Sequence, residues 1–158
     1  MCYTEIYQVG GMIVSACTFF GHRDCCGLDK GMLLRAIEDL ICQGVETFYV
    51  GNEGAFDWSV YSCLKKLRER YPRIRVCVVL AYLPAPSIEQ DMADAMYPPI
   101  EGHPKFAIER RNRWMIASSD YCLCYINHSW GGAYKFAMLA KGQGLPVVNL
   151  GALHLEMV

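Results

Sequence analysis

Tyr121-Cys122-Leu123-Cys124-Tyr125-Ile126-Asn127-His128-Ser129-Trp130-Gly131-Gly132 opens on six residues with no polar alternation, turns abruptly polar, and ends in two glycines. Helical spacing follows at Phe136, Leu139 and Ala140, and Gly142 or Gly144 stops it. A strand without alternation is one buried on both faces, as in a parallel sheet covered by helices. A strand that passes through a polar, glycine-rich loop straight into a helix is one β-α unit of such a sheet.

The same unit recurs upstream. Ile13–Phe20 is apolar and ends at Gly21-His22-Arg23-Asp24; Leu33, Leu34, Ile37, Leu40 and Ile41 then fall at helical spacing, with Asp29 as N-cap and Gly44 as stop. Thr47-Phe48-Tyr49-Val50 ends at Gly51-Asn52-Glu53-Gly54, and a helix is expected from near Asp57, striped by Val60, Leu64, Leu67 and Tyr71 and closed by Pro72. Ile74–Leu80 is a third apolar run, ended by Pro84 and Pro86. Residues 85–104 read as irregular, and a long proline-punctuated loop in a compact domain is often a binding loop. A helix is expected over Phe106–Ala117 and a last short strand over Pro146–Leu150. These units predict an α/β fold: a Rossmann-like, doubly wound, mainly parallel five-stranded sheet in the order 3-2-1-4-5, with helices on both faces. They form a single domain over 1–158, with its core at about 14–150.

Composition sets bounds on function. The 158 residues are one domain's worth, and a net charge of −1 argues against a broad footprint for duplex DNA, RNA or an anionic membrane. No basic-then-apolar leader and no run of roughly 18 apolar residues occurs, so a cytoplasmic location is expected. Nine cysteines form no Cys-x-x-Cys pair, and their odd number weighs against a disulfide framework; no metal site and no cofactor is expected. Cys17, Cys42, Cys63, Cys77, Cys122 and Cys124 read as small buried hydrophobes, whereas Cys25 and Cys26 fall in a loop.

The unusual residues collect in the strand-to-helix loops, all of which lie on the carboxyl edge, where open α/β sheets bind ligands. The candidate ligand residues are Gly21, His22 and Arg23 after the first strand, Gly51, Asn52 and Glu53 after the second, and His128, Ser129, Gly131 and Gly132 after the fourth. Gly131-Gly132 before a helix lets amides approach a phosphate, although the same pair suits a tight turn. In Glu109-Arg110-Arg111-Asn112-Arg113-Trp114, Arg110 and Arg113 share one helix face and Arg111 projects roughly 100° away. Arginine forks suit phosphate oxygens, though a charge run is more often a solvated face. Arg110 and Arg113 are the candidates taken forward, and which of the three arginines meets a ligand stays open. Glu53 is a candidate for ribose hydroxyls, while Asp57 reads first as a helix cap. His22 and His128 are acids, bases or plain hydrogen-bond partners; Trp130 and Tyr82 either stack on a base or shield the site.

Phe-Phe-Gly-His-Arg-Asp (19–24), Phe-Tyr-Val-Gly-Asn-Glu-Gly-Ala-Phe-Asp (48–57), Glu-Arg-Arg-Asn-Arg-Trp-Met (109–115) and His-Ser-Trp-Gly-Gly-Ala (128–133), in this order and spacing, resemble a stand-alone SLOG domain over about residues 14–150. That Rossmann-like superfamily includes the lonely-guy phosphoribohydrolases and the DprA/Smf DNA-processing proteins. The resemblance implies a binder or processor of nucleotides and their derivatives, often a homodimer or higher homo-oligomer. The lonely-guy enzymes carry Pro-Gly-Gly-x-Gly-Thr-x-x-Glu with a catalytic glutamate. Here Tyr134 and Lys135 replace its Gly and Thr, and Met138 stands where the glutamate would be. The leading expectation is therefore a domain that senses or sequesters a nucleotide-type small molecule. The alternative is a nucleoside-monophosphate N-glycosidase with Glu53 as the catalytic carboxylate. Single-stranded DNA binding ranks third.

Overall fold

A computed structural model describes residues 8–9, 12–13, 15–82 and 94–155. After a two-stranded antiparallel sheet of β1 (Gln8–Val9) and β2 (Met12–Ile13), the chain runs β3 (Ser15–Gly21), α1 (Lys30–Cys42), β4 (Val45–Val50), α2 (Ala55–Arg70), β5 (Arg75–Val79) and β6 (Ala95–Met96). A 3-10 turn (Pro104–Phe106) leads into α3 (Ala107–Ala117), then β7 (Tyr121–Tyr125), α4 (Gly132–Gly142) and β8 (Val147–Asn149). The main sheet has six strands in the order β6-β5-β4-β3-β7-β8, every neighbouring pair parallel.

The unbroken apolar runs are explained by two cores. Along β3, Cys17 and Phe19 face one layer while Ala16 and Phe20 face the other; along β7, Leu123 and Tyr125 oppose Cys122 and Cys124 in the same way. Leu33, Ile37 and Leu40 of α1 and Val60, Leu64 and Leu67 of α2 cover the first face. Met115 and Ile116 of α3 and Phe136, Ala137 and Ala140 of α4 cover the second. Because successive strand residues point to opposite faces, both sets must be apolar, which erases alternation. Asp29 caps α1, its carboxylate accepting from Met32 N at 3.1 Å.

The expected order of the five strands holds, and a sixth is added. β6 comes out of the stretch read as irregular, pairing at the sheet edge through Val78 N to Asp94 O and Leu80 N to Met96 O, both 2.8 Å. Two residues carry too little pattern to announce a strand, and an edge position needs only one partner. Asp94 is further held by two Arg68 nitrogens at 2.8 and 3.0 Å and by Tyr61 Oη at 2.7 Å. Residues 83–93, with Pro84 and Pro86, lie outside the described residues. α2 begins at Ala55, two residues before Asp57, and α3 at Ala107. Cys42 is exposed rather than buried, because it stands two positions, about 200°, past Leu40 of the buried stripe. Among the described residues no helix is long and apolar enough to cross a membrane.

Candidate functional site

β3 pairs with β4 on one side and β7 on the other, so the chain reverses its winding direction there. The loops after these three strands diverge and leave a cavity of about 670 Å³ between them, walled by one side of α3 and the first residues of α2 and α4. Gly21, His22, Arg23, Gly51, Glu53, His128, Gly131 and Gly132, all named from the sequence, line it. Tertiary structure adds Asp57, Arg111 and Asn112 to the wall.

Arg111 is the centre of that wall. It is 2% exposed. Its Nη1 donates to Val79 O (2.9 Å) and Asn52 Oδ1 (3.3 Å), and its Nε donates to Asn112 Oδ1 (2.7 Å). Nη2 has no hydrogen-bond partner among the described residues. Burial lowers the guanidinium's pKa, and the charges of Asp57 and Glu53 oppose that shift. The guanidinium is therefore oriented by protein acceptors and keeps donors for something else. Its neighbours on the helix do other things. Arg110 Nη1 donates to His103 O at 2.8 Å, and Arg113 pairs with Glu109 at 3.2 Å; neither lines the cavity. Glu109 also takes Lys135 at 3.0 Å, which ties α3 to α4.

The sequence contained the signal for Arg111. It stands four residues from both Ala107 and Met115, and with Asn112 and Ile116 these make up the buried face of α3. A cation on an apolar stripe must be buried, and a buried cation needs a reason.

Asp57 lies at the first turn of α2, where its Oδ2 accepts from Glu53 N at 2.8 Å. It is not the helix cap that the sequence suggested, since Gly54 takes the N-cap position and no side chain caps α2; Asp57 faces the cavity instead. Burial pushes its carboxyl up to about 6, against the Glu53 amide and the Arg111 charge, which pull it down. Gly51 makes room for this pair. A Cβ there would lie 2.8 Å from Asp57 Oδ2 and 3.1 Å from Arg111 Nη1. Glu53 reaches Arg23 at 3.9 Å, with the Arg23 side chain 75% exposed.

The opposite wall is the start of α4. Gly131 caps it at φ 91°, a left-handed conformation suited to glycine, and no side chain caps the helix. A Cβ at Gly132 would meet nothing within 4 Å, and Gly131, Gly132 and Ala133, which open α4, line the cavity with no side-chain cap on their amides. Gly21 has a different reason for being glycine, since a Cβ there would lie 2.2 Å from the Phe56 ring. His22 is fixed at the end of β3: its Nε2 accepts from Asn127 N at 3.1 Å, and burial lowers its pKa. Its ring stacks on His128 at 3.6 Å between centroids, and His128 stacks on Trp130 at 3.7 Å. Ser129 is exposed and lies outside the cavity lining, as does Tyr82.

No family model matches this sequence, and no curated protein matches it. A solved structure of DNA processing protein A from Helicobacter pylori, concerned with that protein's mode of single-stranded DNA binding, is similar in fold. It aligns with a TM-score of 0.61 at 17% identity, covering 90% of this chain and 67% of that one. The likeness at that identity is one of fold.

Proposed function

We propose that the cavity binds a phosphorylated nucleoside or a closely related nucleotide-derived small molecule. The phosphoryl group takes the amides that open α4 together with the spare donors of Arg111, and the sugar hydroxyls face Glu53 and Asp57. The observation that carries this reading is Arg111: a buried guanidinium on the cavity wall, held by three protein acceptors, with Nη2 unpartnered among the described residues. Carboxylates in the same cavity suit hydroxyl donors, and they keep the site from being uniformly basic. That mixture of Arg23 and Arg111 with Asp24, Glu53 and Asp57 supports a small ligand over single-stranded DNA, which the Helicobacter protein binds.

The test is calorimetric titration of nucleoside mono- and diphosphates, cyclic nucleotides and NAD, with mass spectrometry of the bound and released species. Arg111→Gln is expected to weaken the best ligand by about 1.5–3 kcal/mol, the range for a hydrogen bond to a charged group. Arg113→Ala, whose guanidinium is occupied by Glu109, serves as the surface control. Failure of every compound to bind, or an unchanged affinity in Arg111→Gln, would remove the reading. Salt-sensitive retention of a single-stranded oligonucleotide without nucleotide binding would replace it with the Helicobacter protein's ligand class.

Asp57 favours a second reading, an N-ribohydrolase. In that reaction water bonds to C1′ as the C1′–N bond breaks, the base leaves with the bonding electrons and one proton, and ribose phosphate retains the hydroxyl. A carboxyl with a pKa of about 6 suits proton transfer near neutral pH. Release of free base, lost in Asp57→Asn or Glu53→Gln while binding persists, would establish it. Recovery of every nucleotide intact would leave a sensing or sequestering domain.

A further inference from the structure

His22, His128 and Trp130 form a pillar of three near-parallel rings. The centroids are 3.6 and 3.7 Å apart and the interplanar angles are 16° and 18°. The pillar is built from two adjacent strand ends. Gly21 of β3 lies in register with Tyr125 of β7, so the residues that leave the two strands emerge side by side. His128 and Trp130, two positions apart in the following loop, then lie over His22. The inner end is fixed, with His22 N donating to Tyr125 O at 3.3 Å and His22 Nε2 accepting from Asn127 N at 3.1 Å. The outer end is not covered: Trp130 is 67% exposed, and no ring stacks on its other face among the described residues.

A single exposed aromatic is ordinary on a protein surface. This one differs in three respects. It stacks on the rings beneath it, it borders the cavity, and the next two residues are the glycines that open α4. Stacking on those rings removes some of the ordering cost that a mobile side chain would incur when a flat ligand stacks on it. The nearby anion site would bring a planar group tethered to a phosphate within reach.

We propose that the open face of Trp130 is a base subsite: the heterocycle of the bound nucleotide stacks there, with the imidazoles of His128 and His22 as its backing. This rests on the nucleotide reading above and adds to it what recognises the base. Stacking of this kind tolerates different heterocycles and favours the larger purine surface over a pyrimidine.

The experiment compares adenosine 5′-monophosphate, uridine 5′-monophosphate and ribose 5-phosphate, the last having the sugar and phosphate without the base. Wild-type protein is expected to bind them in that order of decreasing affinity. Trp130→Ala should lose about tenfold or more for the adenine nucleotide and leave ribose 5-phosphate unchanged, while Trp130→Phe should retain part of the difference. Indole fluorescence quenched by the adenine nucleotide should persist in Trp58→Phe and vanish in Trp130→Phe. Trp130 is exposed, so these variants are expected to fold. Equal binding of all three compounds, unaffected by Trp130→Ala, would overturn the base subsite and leave the phosphate site standing. If none of the three binds wild-type protein, the base subsite falls, and the nucleotide reading falls with it once the diphosphates, cyclic nucleotides and NAD fail as well.

Discussion

Replacing Asp57 by asparagine tests the electrostatics of the cavity without requiring a known ligand. The carboxyl is raised from 3.8 to about 6, mainly by burial. At about 1.4 kcal/mol per pH unit, the ionised carboxylate is about 3 kcal/mol less favourable in the fold than in the unfolded chain. The folded state then binds the proton more tightly, so between the unfolded value near 3.8 and the folded value near 6 the native protein holds more protons. Stability from this group therefore falls as pH rises through that window and levels off above it. The substituted amide would not titrate, yet its side-chain oxygen can still accept from Glu53 N. Subtracting wild-type stability from that of Asp57→Asn cancels the other titrating groups to first order. In urea unfolding curves this difference should grow by about 2 kcal/mol from about pH 4.5 to about pH 7.5 in favour of the variant. A flat difference would mean that the carboxylate is not desolvated. A difference that instead shrinks as pH rises through the range below about 3.8 would mean that Arg111 and the Glu53 amide outweigh burial, and Asp57 would lose its claim to proton transfer near neutrality.

The two glycine sites should respond in opposite ways. Gly132→Val adds a side chain where nothing lies within 4 Å, so stability should change by no more than about 0.5 kcal/mol, while nucleotide affinity drops because the added methyls occupy the space over the α4 amides; thermal unfolding and titration on the same sample separate the effects. Gly21→Ala should destabilise by about 1–3 kcal/mol, since its Cβ would overlap the ring of Phe56, which is itself 1% exposed. A denaturation midpoint unchanged from wild type would show that β3 and α2 can separate at this point.

The layer structure was legible along the chain alone. Apolar runs such as Tyr121–Ile126 can be buried only on both faces, helical stripes such as Leu33-Ile37-Leu40 need a sheet to cover, and short right-handed β-α units leave few strand orders. Those are local constraints, set by side-chain periodicity and loop length. They also placed the polar loops on one edge, where Gly21, His22, Glu53, His128 and Gly131 meet around a cavity. The Ala107-Arg111-Met115 spacing also carried a hint of which arginine faces inward, but not of what that arginine would meet. Arg110, Arg111 and Arg113 differ by rotation about a helix axis, and the direction of the core is fixed only once α3 lies against the sheet. That contact puts Arg111 on the wall beside Asp57 and leaves Arg113 to Glu109. The same holds for the pKa of Asp57 and for the pillar of His22, His128 and Trp130. Desolvation and ring stacking depend on neighbours far apart along the chain, and only the packed structure brings them within a few ångströms.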